Sequence, residues 1–392
     1  MICDTHPNNL RMNSPTVLVV GGGVAGSACA IQLRAHNVDV TLVEKADFPR
    51  TKVCGCCIGG AGIETLRSLG QLTLPASTWD DTPLFRQIMT DAESVNQWRA
   101  SLGGHTIKVD LPSGIAISRE RLDSTLIETA ADAGCRVHMP CNARINEVAV
   151  TKVQVTLQHR SSTEQQEFDL VVLATGLNCP GITAILPWKE SPHGPFGVSW
   201  TAQCDQIAPQ VIHMACDHDG YVGLVRLESG QVDVASALRS GSVAAQQGSP
   251  MERVHQILER SSFPKFEWGT PSKVMTTPPL RRTRVAGRGR LLAIGDASGY
   301  VEPFTGEGMT WGMQSGIAAA NRIGLASVQT DQGSMATIGT QWDLDQQKLL
   351  RSKKRTCRVV TNALRSKWAR KTIGSTLATF PKLAWPIVRR LS

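Results

Sequence analysis

Apolar runs along the chain predict the strands of a parallel sheet. A β-branched run at Thr16–Val20 leads into a glycine-rich turn, a helical stretch at 27–36 and a second apolar run at 38–43. Further apolar runs at 169–174 and 290–297 have the length of buried strands. Because continuous apolar strands are buried on both faces and helices connect them, the pattern predicts an α/β fold with a doubly wound sheet.

Between these runs the pattern changes to short alternating segments. Alternation at 221–227 and 231–238, with turns between, predicts an antiparallel sheet. We therefore expect a discontinuous doubly wound (Rossmann-like) domain, an inserted antiparallel β-sheet domain for the substrate and a helical C-terminal region. The predicted boundaries are 14–75, 106–181 and 283–330 for the first, 76–105 and 182–282 for the second, and 331–392 for the third.

The first strand and helix enclose a G-x-G-x-x-G sequence. Gly21, Gly23 and Gly26 occupy its three glycine positions, and Glu44 follows the second predicted strand. In this context the glycines permit a tight turn, close approach of a pyrophosphate and packing of helix on strand, and the carboxylate can accept hydrogen bonds from a ribose. The unit predicts a dinucleotide-binding site.

A second glycine-rich segment follows the apolar run at 290–297. Gly295 and Asp296 lie at the end of that predicted strand, and a loop with Gly306 and Gly308 precedes a helix of small residues. An aspartate at a strand end and glycines at a helix N-terminus can hold a phosphate or a polar ribityl chain. This segment is a second place for such a ligand.

Positive charge is concentrated at the C-terminus. Residues 346–392 carry 13 Lys and Arg and no Asp or Glu, whereas residues 1–345 carry 28 basic and 33 acidic side chains. Interleaved Trp, Phe and Leu predict amphipathic helices, which either lie on an anionic bilayer or pack on the body with their charges solvated. No nucleic-acid-binding module accompanies the charge, so we expect no nucleic-acid partner.

The chain has no sequence feature of export or membrane insertion. Its first fifteen residues lack the apolar core of a signal peptide, and no apolar run reaches the roughly 18 residues of a membrane span. We expect a cytoplasmic protein, with peripheral contact at the inner face of the membrane as the alternative for the basic tail.

The order of the motifs resembles the flavoprotein superfamily that includes para-hydroxybenzoate hydroxylase, and is most similar to its geranylgeranyl reductase branch. The resemblance covers about residues 14–330. It rests on the glycine motif with Glu44-Lys45, on Lys52-Val53-Cys54-Gly55, on Ser118-Arg119 to Asp123, on Ala174-Thr175-Gly176, and on Gly295-Asp296 with Pro303-Phe304-Thr305-Gly306-Glu307-Gly308. It implies FAD as the cofactor, with NAD(P)H or a protein electron donor as the reductant.

The resemblance also implies FAD contacts, carried over position by position. The implied contacts are Gly26 near the pyrophosphate, Glu44 and Lys45 at the adenosine ribose, Arg119 and Ala143 along the adenine side, Asp296 on the ribityl chain or pyrophosphate, Cys54 and Gly55 beside the flavin, and Gly308 and Met309 near the isoalloxazine, with Gly306 leaving room for the ring.

The chain departs from the superfamily's patterns at several positions. Aromatic hydroxylases usually have a His after Gly-Asp-Ala-Ala, where this chain has Ser298-Gly299, and Asp-Gly where it has Thr175-Gly176. The W-x-W-x-I-P signature of the halogenase branch is missing. The reductase branch commonly has small residues and Gly after its Cys-Gly, where this chain has Cys56 and Cys57. The departures from the hydroxylase and halogenase patterns favour a reductase, whereas Cys56 and Cys57 depart from the reductase pattern itself.

The cysteine cluster admits several interpretations. Cys54 and Cys57 have C-x-x-C spacing, which suits a thiol redox pair, a covalent flavin link or a metal site, but a zinc site needs a second ligand pair that the sequence does not offer. We favour reduced, packed thiols on a loop covering the flavin, and we predict no metal site. His193, His213 and His218 are isolated, and no catalytic residue is assigned from the sequence.

The leading hypothesis is an FAD-dependent oxidoreductase that transfers hydride from reduced flavin to an apolar isoprenoid or polyketide-like substrate. An alternative is a flavin monooxygenase that hydroxylates an aromatic or polyketide substrate. A third, from another class, is a noncatalytic flavin electron carrier at the membrane. An apolar small molecule or lipid is the expected partner.

Overall fold

The computed structural model describes residues 14–71, 81–177, 183–191, 194–241, 248–302, 304, 306–328 and 332–384. The helices are α1 Val24–Ala35, α2 Gly60–Ser68, α3 Pro83–Asp91, α4 Arg119–Asp132, α5 Pro250–Glu259, α6 Gly308–Val328, α7 Gln332–Arg365 and α8 Lys367–Thr379. Short 3-10 helices span Gly295–Ser298 and Pro381–Ala384.

The strands are β1 Thr16–Val20, β2 Asp39–Val43, β3 Cys57–Gly59, β4 Glu93–Ser94, β5 Gln97–Leu102, β6 His105–Asp110, β7 Gly114–Ala116, β8 Arg136–His138, β9 Asn142–Val148, β10 Val153–Gln158, β11 Thr163–Phe168, β12 Leu170–Leu173, β13 Lys189–Glu190, β14 Phe196–Ala202, β15 Val211–Cys216, β16 Gly220–Arg226, β17 Val232–Leu238, β18 Met275–Pro279, β19 Arg282–Thr283, β20 Gly287–Arg288, β21 Leu291–Ala293 and β22 Gly299–Tyr300.

The predicted doubly wound sheet is confirmed. Its order is β20-β21-β12-β1-β2-β8, with β21, β12, β1, β2 and β8 parallel and β20 antiparallel at one edge. The parallel strands β1, β2, β12 and β21 are mostly apolar and buried, as expected for a sheet covered on both faces, whereas β8 at the other edge is partly exposed. The chain leaves β1 toward β2 on one side and later adds β12 on the other, so a crevice opens at the carboxyl end of β1.

Helix α1 lies unusually close to β1 and α6. A Cβ atom added to Gly26 would stand 1.8 Å from the Gly21 carbonyl oxygen, and one added to Gly316 would stand 2.4 Å from the Ala25 carbonyl oxygen. Neither distance is compatible with any side chain. The small residues of α1 and α6 therefore set how near the helix N-terminus comes to the strand ends.

A seven-stranded sheet forms the second layer, with order β18-β14-β17-β16-β15-β5-β6. All its pairs are antiparallel except β15 with β5. Strand β6 belongs to this sheet, although the sequence analysis assigned residues 106–110 to the doubly wound domain. The reason is a tight hairpin with two positive-φ glycines, Gly103 and Gly104, which returns β6 alongside β5. The remaining predicted domain boundaries stay predictions.

A three-stranded meander, β11-β10-β9, packs beside the doubly wound sheet. Buried apolar residues alternate with polar ones along β10, whereas the residues of β11 are polar and mostly exposed, so the pairing of β11 with β10 leaves no hydrophobic pattern in the sequence of β11.

The predicted helical C-terminal region is confirmed, and most of its apolar residues pack on the body. Leu350 and Cys357 of α7 are buried, and Ile373 and Leu377 of α8 pack with residues of β5 and β6. Gly374 allows α8 to approach the Leu102 carbonyl oxygen, which a Cβ atom would meet at 2.2 Å. The amphipathic pattern alone did not show this, because packing on the body and binding to a bilayer require the same pattern.

The close approach of α1 to β1 yields a stability prediction. Gly26→Ala is expected to lower the free energy of unfolding by about 1–3 kcal/mol or more, because helix and strand must separate to admit the methyl group. Urea denaturation followed by circular dichroism measures this. Gly223→Ala is the control, since its added methyl meets nothing nearer than 3.7 Å. Equal stability of the two variants would contradict the packing argument.

Candidate functional site

A large cavity lies between the two sheets. Its volume is about 1200 Å³, above the roughly 300–1000 Å³ of ordinary small-molecule pockets. One wall is formed by the carboxyl ends of the doubly wound sheet, at Val20, Val43, Leu173 and Ile294. The opposite wall is the seven-stranded sheet. This is the crevice in which open α/β sheets bind their ligands.

Almost all of the predicted cofactor residues meet at this cavity. Those that line it are Gly21, Gly23, Glu44, Lys45, Cys54, Gly55, Arg119, Ala143, Asp296, Gly306, Gly308 and Met309. Gly26 does not line it and instead packs against the Gly21 carbonyl. Pro303, Thr305 and His193 lie outside the described residues, and His213 is buried on the far face of its strand against Phe263.

The N-terminus of α1 faces the cavity without a capping side chain. Gly23 is the N-cap residue and makes no side-chain hydrogen bond to the first turn. The backbone N–H groups of that turn and the helix dipole therefore favour an anion. A Cβ atom at Gly23 would stand 3.3 Å from Arg50 and 3.6 Å from Arg119, so two guanidinium groups are also near. This end of the cavity suits a pyrophosphate.

Glu44 and two arginines form a buried ionic network at that end. Glu44 accepts hydrogen bonds from the backbone N–H of Gly22 at 2.9 Å and of Ala46 at 3.0 Å. Arg119 donates to Asp123 through two nitrogens, at 2.9 and 2.7 Å. The fork of Arg119 is therefore held by a carboxylate one turn along α4, rather than wholly available to a phosphate.

Arg50 is a cavity residue that the sequence analysis missed. Its Nη2 lies 3.5 Å from both Glu44 and Asp123, and its buried Nε has no hydrogen-bond partner among the described residues. A partly buried guanidinium with an unused Nε donor at the edge of the cavity fits a phosphate oxygen. The sequence signal that could have indicated Arg50 as a site residue is its position four residues before Cys54 in the same loop.

Lys52 is a second missed cation. Its Nζ lies 3.3 Å from the position that a Cβ atom added to Gly176 would occupy. Asp296, which also lines the cavity, is a neighbouring charge. Burial lowers the pKa of Lys52, and the neighbouring Arg119 lowers it further. Thr175 also lines the cavity, and its buried hydroxyl has no partner among the described residues. Polar groups therefore follow the strand ends from Arg50 to Asp296.

The cysteines are reduced throughout the described chain. Nine lie within it, and none is in a disulfide. Within the same residues, no group of three His, Cys, Asp or Glu side chains is arranged to hold a metal ion. Cys54, Cys56 and Cys57 all line the cavity, and Cys56, which is 5% exposed, packs in one cluster with Val225 of the seven-stranded sheet.

Comparison with known proteins agrees with this geometry. Residues 14–341 match the family model described as FAD binding domain. Menaquinone reductase of Mycobacterium tuberculosis is 27% identical over 337 residues, covering 79% of this chain and 77% of that protein. Digeranylgeranylglycerophospholipid reductase 2 of Methanothermobacter thermautotrophicus is 24% identical over 308 residues, covering 75% and 73%.

A solved structure shares the fold over nearly the whole chain. The flavin-dependent brominase Bmp2 superposes with a TM-score of 0.75 at 16% sequence identity, covering 97% of this chain and 93% of that one. This likeness concerns the fold, because members of one fold carry out different reactions.

The chain belongs to the FAD binding domain family, and its site is that of a flavoprotein oxidoreductase. FAD is its cofactor. The residues present fit the group, since an uncapped helix N-terminus and the unpartnered Arg50 Nε meet the needs of a pyrophosphate. The predicted enzyme class is confirmed, which sets aside the noncatalytic carrier.

Asp296 provides a test of the cofactor site. Asp296→Ala is expected to be purified with little or no flavin, because the variant loses the carboxylate that follows β21 and lines the cavity. The flavin absorbance relative to protein absorbance measures occupancy. Asp132→Ala, at an exposed position at the end of α4, is the control and should keep its flavin. Full occupancy in Asp296→Ala would refute the assignment.

Proposed function

We propose that the protein reduces carbon–carbon double bonds in the polyprenyl chain of a lipid or quinone. The proposal rests on the wall of the cavity that the seven-stranded sheet forms. This wall is apolar. Its apolar side chains include Trp98, Leu111, Ile212, Met214 and Val225. A long hydrocarbon chain buries well against such a wall, whereas a polar aromatic substrate would leave its hydroxyl groups without partners there.

Strand β15 shows how the sheet builds this wall. Ile212 and Met214 are partly exposed and line the cavity. The residues that alternate with them, Val211, His213 and Ala215, are buried on the other face of the strand. The period of two places every second side chain toward the substrate. The names of the two relatives, a menaquinone reductase and a digeranylgeranylglycerophospholipid reductase, support a substrate with prenyl units.

The chemistry that bound FAD supplies is hydride transfer. The protein's part is to hold the cofactor at the strand ends, to align the hydrocarbon chain along the apolar wall and to exclude water from it. A proton must also reach the substrate. The electron donor, NAD(P)H or a protein, is left to experiment.

An anaerobic assay separates reduction from hydroxylation. Reduced enzyme mixed with a short polyprenyl quinone or lipid under argon should yield a product heavier by the mass of H₂ per bond reduced, detected by mass spectrometry. A product formed only in air and heavier by one oxygen would overturn the proposal in favour of a monooxygenase.

The apolar wall is tested in the same assay. Met214→Glu should lower turnover at least about tenfold while retaining FAD, because a carboxylate there must lose its hydration against the chain. Leu344→Glu is the control, since Leu344 is an exposed apolar residue of α7 and should tolerate the charge. Similar turnover in both variants would contradict the assigned wall.

We further propose that the C-terminal region contacts an anionic membrane surface. Trp368 is 82% exposed, Phe380 60% and Leu383 58%, and they stand among the exposed Lys367, Lys371 and Lys382. Apolar and aromatic side chains among lysines suit the boundary of an anionic bilayer. Among the described residues, no helix is long and apolar enough to cross a membrane.

The position of this surface supports entry of a lipid substrate. Ile373 and Leu377 of α8 pack in the same small cluster as Trp98 and Leu111, and these last two line the cavity. The proposed membrane contact and the apolar wall are therefore separated by one layer of side chains.

Vesicle binding tests the surface. Replacing Lys367, Lys371 and Lys382 with Gln should weaken binding to vesicles containing anionic lipid by about two orders of magnitude, at about 1 kcal/mol per charge. Replacing the exposed Arg86, Lys189 and Lys265 is the charge-matched control. Deletion of residues 346–392 is a poor test, because Leu350 and Cys357 are core residues. Equal binding of both triple variants would refute the proposal.

A further inference from the structure

Four cationic side chains form a stripe on the exposed side of α7. They are Lys348, Arg351, Arg355 and Arg358, and all four are exposed. Because consecutive members are three, four and three residues apart, they lie on one face of the helix over about three turns. We call these four residues the cationic stripe.

The cationic stripe has no acidic counterpart on its own helix surface. Residues 346–392 contain no Asp or Glu. Among the described residues none of the four side chains forms an ion pair, whereas Arg365, further along α7, pairs with Glu302. Like charges on neighbouring turns of a helix repel one another, and a negatively charged partner would remove this repulsion.

The composition of this face favours a protein partner over a bilayer. Between residues 345 and 358 the exposed side chains are the cationic stripe with Gln347 and Ser352, so none of them is apolar. A helix that binds a bilayer surface buries apolar side chains among its cations, and the exposed Trp368 and Phe380 provide these at α8. Arginine is enriched in protein interfaces, where its planar fork pairs with carboxylates. The cationic stripe therefore fits an acidic protein surface.

The opposite side of α7 packs on a segment that lines the cavity. Lys354 of α7 donates to the Gly299 carbonyl oxygen at 3.2 Å. Asp296 and Tyr300, on either side of that glycine in the chain, line the cavity. An α-helix with its side chains is about 10 Å across, so one helix and one loop separate the cationic stripe from the cavity.

The proposed reduction needs an electron donor that reaches this cavity. Gly21, Gly23 and Gly26 form the only G-x-G-x-x-G sequence of the chain, so the sequence offers no second site of this kind for a nicotinamide dinucleotide. The cavity must also hold both FAD and the hydrocarbon chain. A donor that docks outside the cavity, on the far side of α7, does not compete with either of them.

We propose that the cationic stripe is the docking surface for a small acidic electron-transfer protein, which supplies the electrons for the reduction. This proposal rests on the proposed function. Reduction of one double bond takes two electrons and two protons. Two molecules of a one-electron carrier are oxidised for each double bond, water supplies the two protons, and two C–H bonds form. No other reductant is needed.

Binding is the first measurement, and it requires no substrate. Isothermal titration calorimetry at low ionic strength compares the FAD-bound protein with a variant carrying Lys348→Gln, Arg351→Gln, Arg355→Gln and Arg358→Gln. An acidic plant-type [2Fe–2S] ferredoxin is the probe. The variant should bind it at least about tenfold more weakly, because the charge attraction is lost. Glutamine favours helix and leaves the buried face of α7 unchanged, so the variant should fold, which circular dichroism checks.

Electron transfer is the second measurement. Stopped-flow absorbance follows the bleaching of the FAD-bound protein by reduced ferredoxin under argon, without substrate. At low ionic strength the variant should be reduced at least about tenfold more slowly than wild type, and high salt should remove most of this difference. Reduced methyl viologen, a small donor that needs no docking surface, should reduce both proteins at the same rate.

The lysines of the C-terminal end provide the control. Replacing Lys367, Lys371 and Lys382 with Gln should leave ferredoxin binding and reduction unchanged while weakening vesicle binding. The variant of the cationic stripe should do the opposite. If that variant instead lost binding to anionic vesicles and kept its affinity for ferredoxin, the cationic stripe would be a membrane surface and the proposal would be overturned.

Two further results would overturn the proposal. One is equal affinity of wild type and the variant of the cationic stripe for ferredoxin. The other is rapid bleaching by NADPH alone, because a protein donor is then not needed. None of these experiments contains a prenyl substrate, so their outcome is separate from that of the proposed function, which fails only if the reduced protein leaves prenyl double bonds unchanged.

Discussion

The structure depends on the close contact of α1 with β1 and α6. Gly26 stands where a Cβ atom would overlap the Gly21 carbonyl, and Gly316 where one would overlap the Ala25 carbonyl. This contact brings the uncapped N-terminus of α1 to the carboxyl ends of the parallel strands. The partial positive charge of the helix end and the strand-end side chains then share one crevice, so the cofactor site follows from helix packing.

The two sheets contribute different kinds of side chain to the cavity. The doubly wound sheet contributes charged and polar groups such as Glu44, Arg50 and Asp296 at its strand ends. The seven-stranded sheet contributes alternate apolar side chains from β15 and β16. A cofactor with phosphates and a hydrocarbon substrate need opposite surroundings, and a cavity between two different sheets provides both.

The loop from Arg50 to Cys57 connects these two environments. Arg50 lies at the polar end, beside Glu44 and Asp123, and the cysteines cluster with Val225 and Ile212 of the other sheet. A short segment thus contacts cofactor-binding groups, the cavity and the seven-stranded sheet.

The sequence by itself determined the doubly wound fold, the two glycine motifs and the cofactor class, because apolar runs and glycine spacing are local signals of strands and tight turns. Twelve of the thirteen predicted contacts meet at one cavity for this reason. Only the tertiary structure decided that Arg50 lies beside Asp123, that Cys56 packs in one cluster with Val225, and that α8 covers β6. These contacts join residues that are far apart in the sequence, so no local sequence pattern encodes them.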